Sequence, residues 1–259
     1  MWFTDNNIHN FLTNIKINKF DKISQVFSST VNQTKEFVRT PLFLKLIGDV
    51  RNKNVADFGC GDGFFTRILA QNFARKVMGV DYSEKMIKTA IEKEKVNPLK
   101  ITYLLEDVRF LRMKEKFDLI SAVYLLDYAE SKEDLLKMAL TAYHHLNPGG
   151  KFCAIVPHPH IQPTKDFEFE RKITSLDNKD KFKDGDRLKC EIKKNDKQFE
   201  FIFYYWSKDT YNNILSKAGF KDITWVEPFI SERGLKLFGP EYWQNFLKKP
   251  STIGFIGHK

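Results

Sequence analysis

Residues 55–66 read Val55-Ala56-Asp57-Phe58-Gly59-Cys60-Gly61-Asp62-Gly63-Phe64-Phe65-Thr66. An apolar strand runs into a glycine-rich turn, and the turn opens a helix. Glycines permit the tight turn and let a ligand approach the backbone. The helix that follows presents unpaired N–H groups and a partial positive charge at its N-terminus, which suits a carboxylate. The glycines are spaced Gly-x-Gly-x-Gly, and an acid, Asp57, stands two residues before the first of them.

The surrounding rhythm is that of an open α/β sheet. Val55–Phe58, Lys76–Val80, Lys100–Leu105, Leu119–Tyr124 and Lys151–Val156 read as strands. Phe64–Asn72, Glu84–Glu94 and Lys132–Leu146 read as the helices between them. Such alternation implies a parallel sheet with helices on both faces. Asn147-Pro148-Gly149-Gly150 is a stop-and-turn signal. Upstream, residues 1–50 read as an N-terminal helical cap. Phe37, Leu42, Phe43, Leu46 and Ile47 recur at helical spacing, and Pro41 is placed to start a helix.

Downstream, the rhythm breaks. Residues 157–198 are charged and irregular. Leu188–Ile192 and Phe199–Tyr205 look like a hairpin with a polar turn. Ser207 is placed to cap a helix that runs to Ala218 and stops at Gly219. Phe220–Val226 and Thr252–Gly257 give two further strands, with a short helix near Trp243. The expected fold is α/β: a Rossmann-like parallel sheet with an antiparallel C-terminal strand, helices on both faces, and a small lid or hairpin insertion. On this reading residues 51–259 form one domain, with the insertion at about 157–206 serving as a mobile lid over the acceptor.

Composition narrows the class. With 42% hydrophobic residues the chain can build a core. No stretch approaches the roughly 20 apolar residues of a membrane span. The first residues, Met1-Trp2-Phe3-Thr4-Asp5, lack the basic-then-apolar pattern of a signal peptide. Cys60, Cys153 and Cys190 are far apart and form no Cys-x-x-Cys pair, so neither a disulfide framework nor a zinc site is expected. A reducing cytoplasm is the expected location. The net charge of +9 is spread along the chain and interleaved with acids, which reads as a solvated surface rather than a polyanion track.

The glycine-rich turn belongs to a longer pattern. In Met78-Gly79-Val80-Asp81-Tyr82-Ser83-Glu84-Lys85-Met86-Ile87 an acid ends the second strand, where a carboxylate can accept both hydroxyls of a ribose. A third acid follows the third strand in Leu105-Glu106-Asp107-Val108. From Asn54 to Val156 the chain resembles the class I S-adenosylmethionine-dependent methyltransferases. The resemblance implies that Asp57, Gly59, Cys60, Gly61 and Gly63 surround the methionine part of the cofactor. It implies that Asp81 holds the ribose and that Tyr82 and Met86 pack on the adenine. It gives Asp107 the adenine amino group, Val108 a backbone N–H, and the backbone near Val123 the cofactor's amino group. Cys60 itself reads as a packing residue, because no base is paired with it.

Phe20-Asp21-Lys22-Ile23 resembles the Tyr-Asp-x-Ile element that opens many small-molecule methyltransferases, with Phe20 in place of the usual Tyr. Ala122-Val123-Tyr124-Leu125-Leu126-Asp127-Tyr128-Ala129 and Tyr205-Trp206-Ser207-Lys208-Asp209-Thr210-Tyr211, followed by Ala218-Gly219-Phe220, resemble the toxoflavin-synthase-like branch. The branch implies a small, often heterocyclic or phenolic acceptor. A general base is needed only if the acceptor keeps a proton at neutral pH. Candidates lie after the fourth and fifth strands, where open sheets bind ligands: Asp127, Tyr128, His158 and His160. His-x-His alone, without a third ligand, does not make a metal site. Phe20, Tyr128, Tyr204 and Trp206, with Tyr205 and Trp225, are the aromatic candidates to cover a flat acceptor.

Three other functions compete. An RNA or other macromolecular methyltransferase is one, but Tyr124-Leu125-Leu126-Asp127 lacks the Asn/Asp-Pro-Pro-Tyr/Phe motif of base amino-methylation, so nucleic acid is not the expected partner. A nicotinamide-dependent oxidoreductase is another; the Gly-x-Gly-x-Gly spacing and the position of Asp57 argue against it. A non-catalytic S-adenosylmethionine-binding protein is the third.

Overall fold

The computed structural model describes residues 33–164, 171–177, 179, 181–194 and 197–259. In chain order a π-helical turn (Lys35–Arg39) leads into α1 (Thr40–Ile47), β1 (Asn54–Phe58), α2 (Phe64–Gln71), β2 (Lys76–Asp81), α3 (Glu84–Val96), β3 (Thr102–Leu105) and β4 (Phe117–Val123). A 3-10 turn (Leu126–Tyr128) precedes α4 (Lys132–His145) and β5 (Leu146–Pro157). Then come β6 (Arg171–Ser175), β7 (Arg187–Lys194), β8 (Lys197–Tyr204), α5 (Lys208–Ala218), β9 (Lys221–Val226), α6 (Glu232–Lys248) and β10 (Thr252–His258). The part of the expected N-terminal cap before residue 33, Phe20 included, lies outside the described residues.

Local chemistry sets the helix boundaries. Ser83 accepts a hydrogen bond from the Met86 N–H and starts α3, with Glu84 in its first turn and Lys93 and Lys95 in its last. Ser131 does the same for α4 through Asp134, and Ser207 for α5 through Thr210. Pro41 is the second residue of α1, which continues the π-helical turn without a break.

Seven strands form one sheet in the order β3-β2-β1-β4-β5-β10-β9. β3, β2, β1, β4 and β5 pair in parallel; β10 runs antiparallel to both β5 and β9. Strand alternation splits the core in two. Ala56, Phe58, Ile120, Ala122, Phe152 and Ala154 face one layer with the apolar sides of α4 and α5. Val55, Val77, Leu119, Cys153 and Ile155 face the other, against Leu42, Phe43, Leu46 and Ile47 of α1 and Leu69 of α2. Both faces are covered, so β1 and β4 carry apolar residues on either face.

Two elements differ from the expectation. The Asn147-Pro148-Gly149-Gly150 turn lies inside β5, beside a register irregularity opposite Phe117 and Leu119. The helix near Trp243 is long, running from Glu232 to Lys248 with a break at Gly239-Pro240.

β6, β7 and β8, between Arg171 and Tyr204, form a second, three-stranded antiparallel sheet. The hairpin expected from sequence is β7–β8, with Ile192 opposite Phe199, Cys190 opposite Phe201 and Leu188 opposite Phe203. β6 was not legible, because only Ile173 and Ser175 of Arg171–Ser175 are buried. Among the described residues no helix is long and apolar enough to cross a membrane.

Candidate active site

The site lies at the carboxyl ends of β1, β2 and β4, where an open α/β sheet leaves its crevice. Asp57, at the end of β1, is fully buried. One of its oxygens accepts the Thr66 hydroxyl from α2 and the other accepts the Ser121 hydroxyl from β4, each at 2.7 Å. This acid therefore pins the glycine-rich loop between two elements. Burial pushes its carboxyl up to about 6 against those hydrogen bonds. Asp81, at the end of β2, grips the loop from the other side. Its Oδ2 accepts the Gly61 N–H at 2.8 Å and its Oδ1 accepts the Ser83 N–H at 2.9 Å. Burial pushes this carboxyl up to about 6 as well. Gly61 has φ +54°, and nothing lies within 4 Å of where a Cβ would project, so the loop leaves room for a ligand against its backbone.

These residues floor a cavity of about 170 Å³. Gly59, Cys60, Asp81, Tyr82, Met86 and Val123 all line it. Burial raises the Cys60 thiol well above its ordinary value, and its Sγ donates to the Gly61 carbonyl, so no thiolate nucleophile is on offer. A second chamber of about 50 Å³ adjoins the first. Arg39, Tyr124, Tyr128, Arg171 and Ile192 line both. Tyr124 holds a left-handed backbone (φ +53°) with its N–H on the Ile155 carbonyl at 2.8 Å, a strained conformation for a residue other than glycine. Asp127 lines the inner chamber with one carboxylate oxygen buried and unbonded. Burial pushes that carboxyl up to about 7.

The matched segment, residues 55–150, is similar to a methyltransferase domain: it matches the family model of that description. The chain is 30% identical over 138 residues to a ubiquinone biosynthesis O-methyltransferase of Coxiella burnetii, a match covering 51% of this chain and 57% of that protein. It is 27% identical over 178 residues to the N-demethylindolmycin N-methyltransferase of Streptomyces griseus, covering 66% and 70% respectively. The fold matches that of an S-adenosylmethionine-dependent methyltransferase from Mesorhizobium loti, with TM-score 0.61 at 21% identity over 85% of this chain and 96% of the other. The open backbone at Gly61, the two strand-end acids and the apolar Tyr82 and Met86 fit S-adenosylmethionine as the cofactor.

Several residues singled out by sequence stand elsewhere in the fold. Gly63 lines neither chamber; it has φ +82° and packs under Tyr103, whose ring a side chain would strike. Asp107 is turned to Arg109, accepting its backbone N–H at 2.9 Å and its guanidinium at 2.5–3.0 Å, and neither Asp107 nor Val108 reaches the cavities. His158 is buried but faces away. Its Nε2 lies 3.2 Å from Glu227, its Nδ1 accepts the His160 N–H at 3.0 Å, and His160 is exposed. Burial holds the His158 imidazole below its ordinary value despite that carboxylate. Of the four base candidates, only Asp127 and Tyr128 line a chamber.

The aromatic candidates divide by strand parity. In β8 the odd positions Phe199 and Phe201 face the chambers, so Tyr204 is turned the other way and packs on the main core. Trp206 lies wholly within that core and donates its Nε1–H to the Ala129 carbonyl at 3.3 Å. Tyr205 bonds the Pro159 carbonyl at 2.6 Å, and Trp225 bonds Asn212 at 2.9 Å; neither lines a chamber. Trp206→Ala is therefore expected to cost about 3–5 kcal/mol of folding stability in urea titration. Acceptor KM in the fraction that folds should stay unchanged, and a stable variant with a raised KM would put the ring back in the site.

Sequence reading passed over Lys35, Arg39 and Arg171, which line the outer cavity. Arg39 carried a weak signal, a charge among Phe37, Val38, Leu42 and Phe43 at helical spacing. Arg171 carried none, because it lies in a stretch dense with exposed lysines. Lys35 is held 3.6 Å above the Phe64 ring, and burial pushes its ammonium down to about 8.

Proposed function

We propose that this protein transfers the methyl group of S-adenosylmethionine to a small-molecule acceptor with a flat, apolar body. The observation that carries the reading is the inner chamber. It shares walls with the cofactor cavity, is lined by Tyr128, Ile173, Ile192, Phe201 and Phe203, and holds one acid, Asp127. A chamber of about 50 Å³ suits a small ring or side group rather than a polymer.

The cofactor supplies a methyl group already made electrophilic by its sulfonium. The chain's residues do the rest. Asp81 anchors the ribose end, the backbone of Gly59 and Gly61 cradles the amino-acid end, and Lys35 at the rim offers a cation to its carboxylate. The apolar walls exclude water and align the acceptor for in-line attack, which supplies much of the rate. Asp127, poised near neutrality, takes a proton from the acceptor's nucleophilic atom.

Two further points support this reading. The O- and N-methyltransferase relatives carry small-molecule names. The likeness to the toxoflavin-synthase-like branch over residues 122–129 and 205–211 favours a phenolic or heterocyclic ring. The chain spans 57% of the length of the ubiquinone biosynthesis relatives, so their acceptor does not carry over with the domain.

Calorimetric titration with S-adenosylmethionine and S-adenosylhomocysteine tests the reading. Dissociation constants on the order of micromolar are expected, followed by methyl transfer in a screen of phenols, heterocycles and amines. No binding of either nucleoside by the folded protein would sink it. Binding with transfer only to RNA would replace the acceptor class.

A further inference from the structure

Arg39 stands where an apolar pocket has least use for a charge. The π-helical turn Lys35–Arg39 buries Phe37 and Val38 against Trp243 and Phe246 of α6. The same turn directs Arg39 into the wall shared by the two chambers. Irregular helical turns of this kind are frequent at functional sites. Arg39 is 7% exposed, and its Nε is buried without a hydrogen-bond partner. Among the described residues no carboxylate pairs with it. Asp127 lines the same inner chamber, but its raised value comes from burial, with no contribution from either arginine. Burial pushes the Arg39 guanidinium down to about 10, and the neighbouring charge of Arg171 pushes in the same direction. Arg171 enters from β6, across the cavity from the main sheet. A buried cation beside a second cation, with no carboxylate paired to Arg39 among the described residues, is a costly arrangement that a ligand anion relieves.

We infer that the acceptor is a small aromatic or aliphatic carboxylic acid, whose carboxylate is held by Arg39 and Arg171 while its apolar body packs on Tyr124, Tyr128 and Ile192. This rests on the methyltransferase reading above and narrows its substrate class. Geometry favours the carboxylate. The guanidinium fork matches its two oxygens in one plane. Apart from Asp127 and Ser251 the walls of the inner chamber beyond the arginines are mostly apolar, and a doubly charged phosphate would have to shed its water there and face the Asp127 carboxyl. Arg39 and Arg171 line both chambers, whereas Lys35 lines only the outer one, so the cofactor's own carboxylate has a separate cation.

The test is calorimetric titration of the full chain saturated with S-adenosylhomocysteine. The probes are two matched pairs, benzoate with benzamide and hexanoate with hexanamide, with phenyl phosphate as a third anion. In at least one pair the acid is expected to bind ten times or more tighter than its amide. Arg171→Met and Arg39→Met should each erase that preference while S-adenosylhomocysteine affinity stays within about threefold, and Arg171→Lys should restore part of it. Arg171 is only partly buried, so its variants serve if Arg39→Met does not fold. Three results would overturn the assignment: acid and amide binding alike in both pairs, phenyl phosphate outbinding benzoate, or either arginine variant weakening S-adenosylhomocysteine tenfold. Failure of the wild type to bind S-adenosylhomocysteine at all would instead remove the methyltransferase reading beneath it.

Discussion

Asp127→Asn is expected to lower kcat for methyl transfer by about 10²–10⁴-fold and, at the same time, to raise the melting temperature at pH 8. Both effects come from one carboxyl. Asp127 is 2% exposed and lines the inner chamber, with one oxygen unbonded. Its ordinary value of 3.8 is pushed up to about 7 by burial. A base with that value is charged in about half the molecules at neutral pH and close to the optimum for proton transfer. The rate should therefore rise with pH through about 7 and flatten above it, and the Asn variant should lose that limb.

The stability effect has the opposite sign. An acid whose folded value lies above its unfolded one contributes most below pH 3.8, and that contribution is lost as pH rises through about 7. Above that, the folded chain buries an uncompensated charge. Asn removes the charge while keeping shape and polarity, so a gain of about 1–3 kcal/mol at pH 8, shrinking toward pH 4, is expected in thermal unfolding. Unchanged kcat in a stabilised variant would take Asp127 out of the chemistry and leave the acceptor to lose its proton to water.

Asp81→Ala should remove cofactor binding, with S-adenosylhomocysteine affinity falling at least about 100-fold, or roughly 3 kcal/mol. This carboxylate has two tasks at once. It accepts the Gly61 and Ser83 N–H groups, which sets the shape of the glycine-rich loop and the first turn of α3. Its remaining lone pairs are the acceptors for the ribose hydroxyls. Alanine leaves two buried N–H donors unsatisfied and strips the ribose of its anchor. Since burial pushes the Asp81 carboxyl up to about 6, wild-type affinity should also weaken as pH falls below 6. Calorimetry alongside circular dichroism separates lost binding from lost folding. Intact affinity in a folded Ala variant would mean that the ribose is held elsewhere.

Features encoded within one element and its neighbour were readable from residue order alone. Apolar runs, serine caps and glycine turns placed the strands and helices of the main sheet within a few residues, because periodicity and capping are local. The strand-end acids Asp57 and Asp81 were legible for the same reason: each sits beside the turn it fastens. Which side chains share a wall depends instead on how distant segments pack. Strand parity in β8 was open until its pairing with β7 fixed it, and that pairing turned Phe199 and Phe201 toward the chambers and Tyr204 away. His158 looked as well placed as Asp127 until Glu227, a loop away after β9, drew its ring outward. The meeting of Arg39 and Arg171 was invisible in any window of sequence, because one rides an N-terminal helical turn and the other a strand of the insertion. Only the packing of both over the carboxyl ends of β1, β2 and β4 makes their charges neighbours. A cavity wall is a product of chain topology, and its chemistry cannot be read from spacing along the chain.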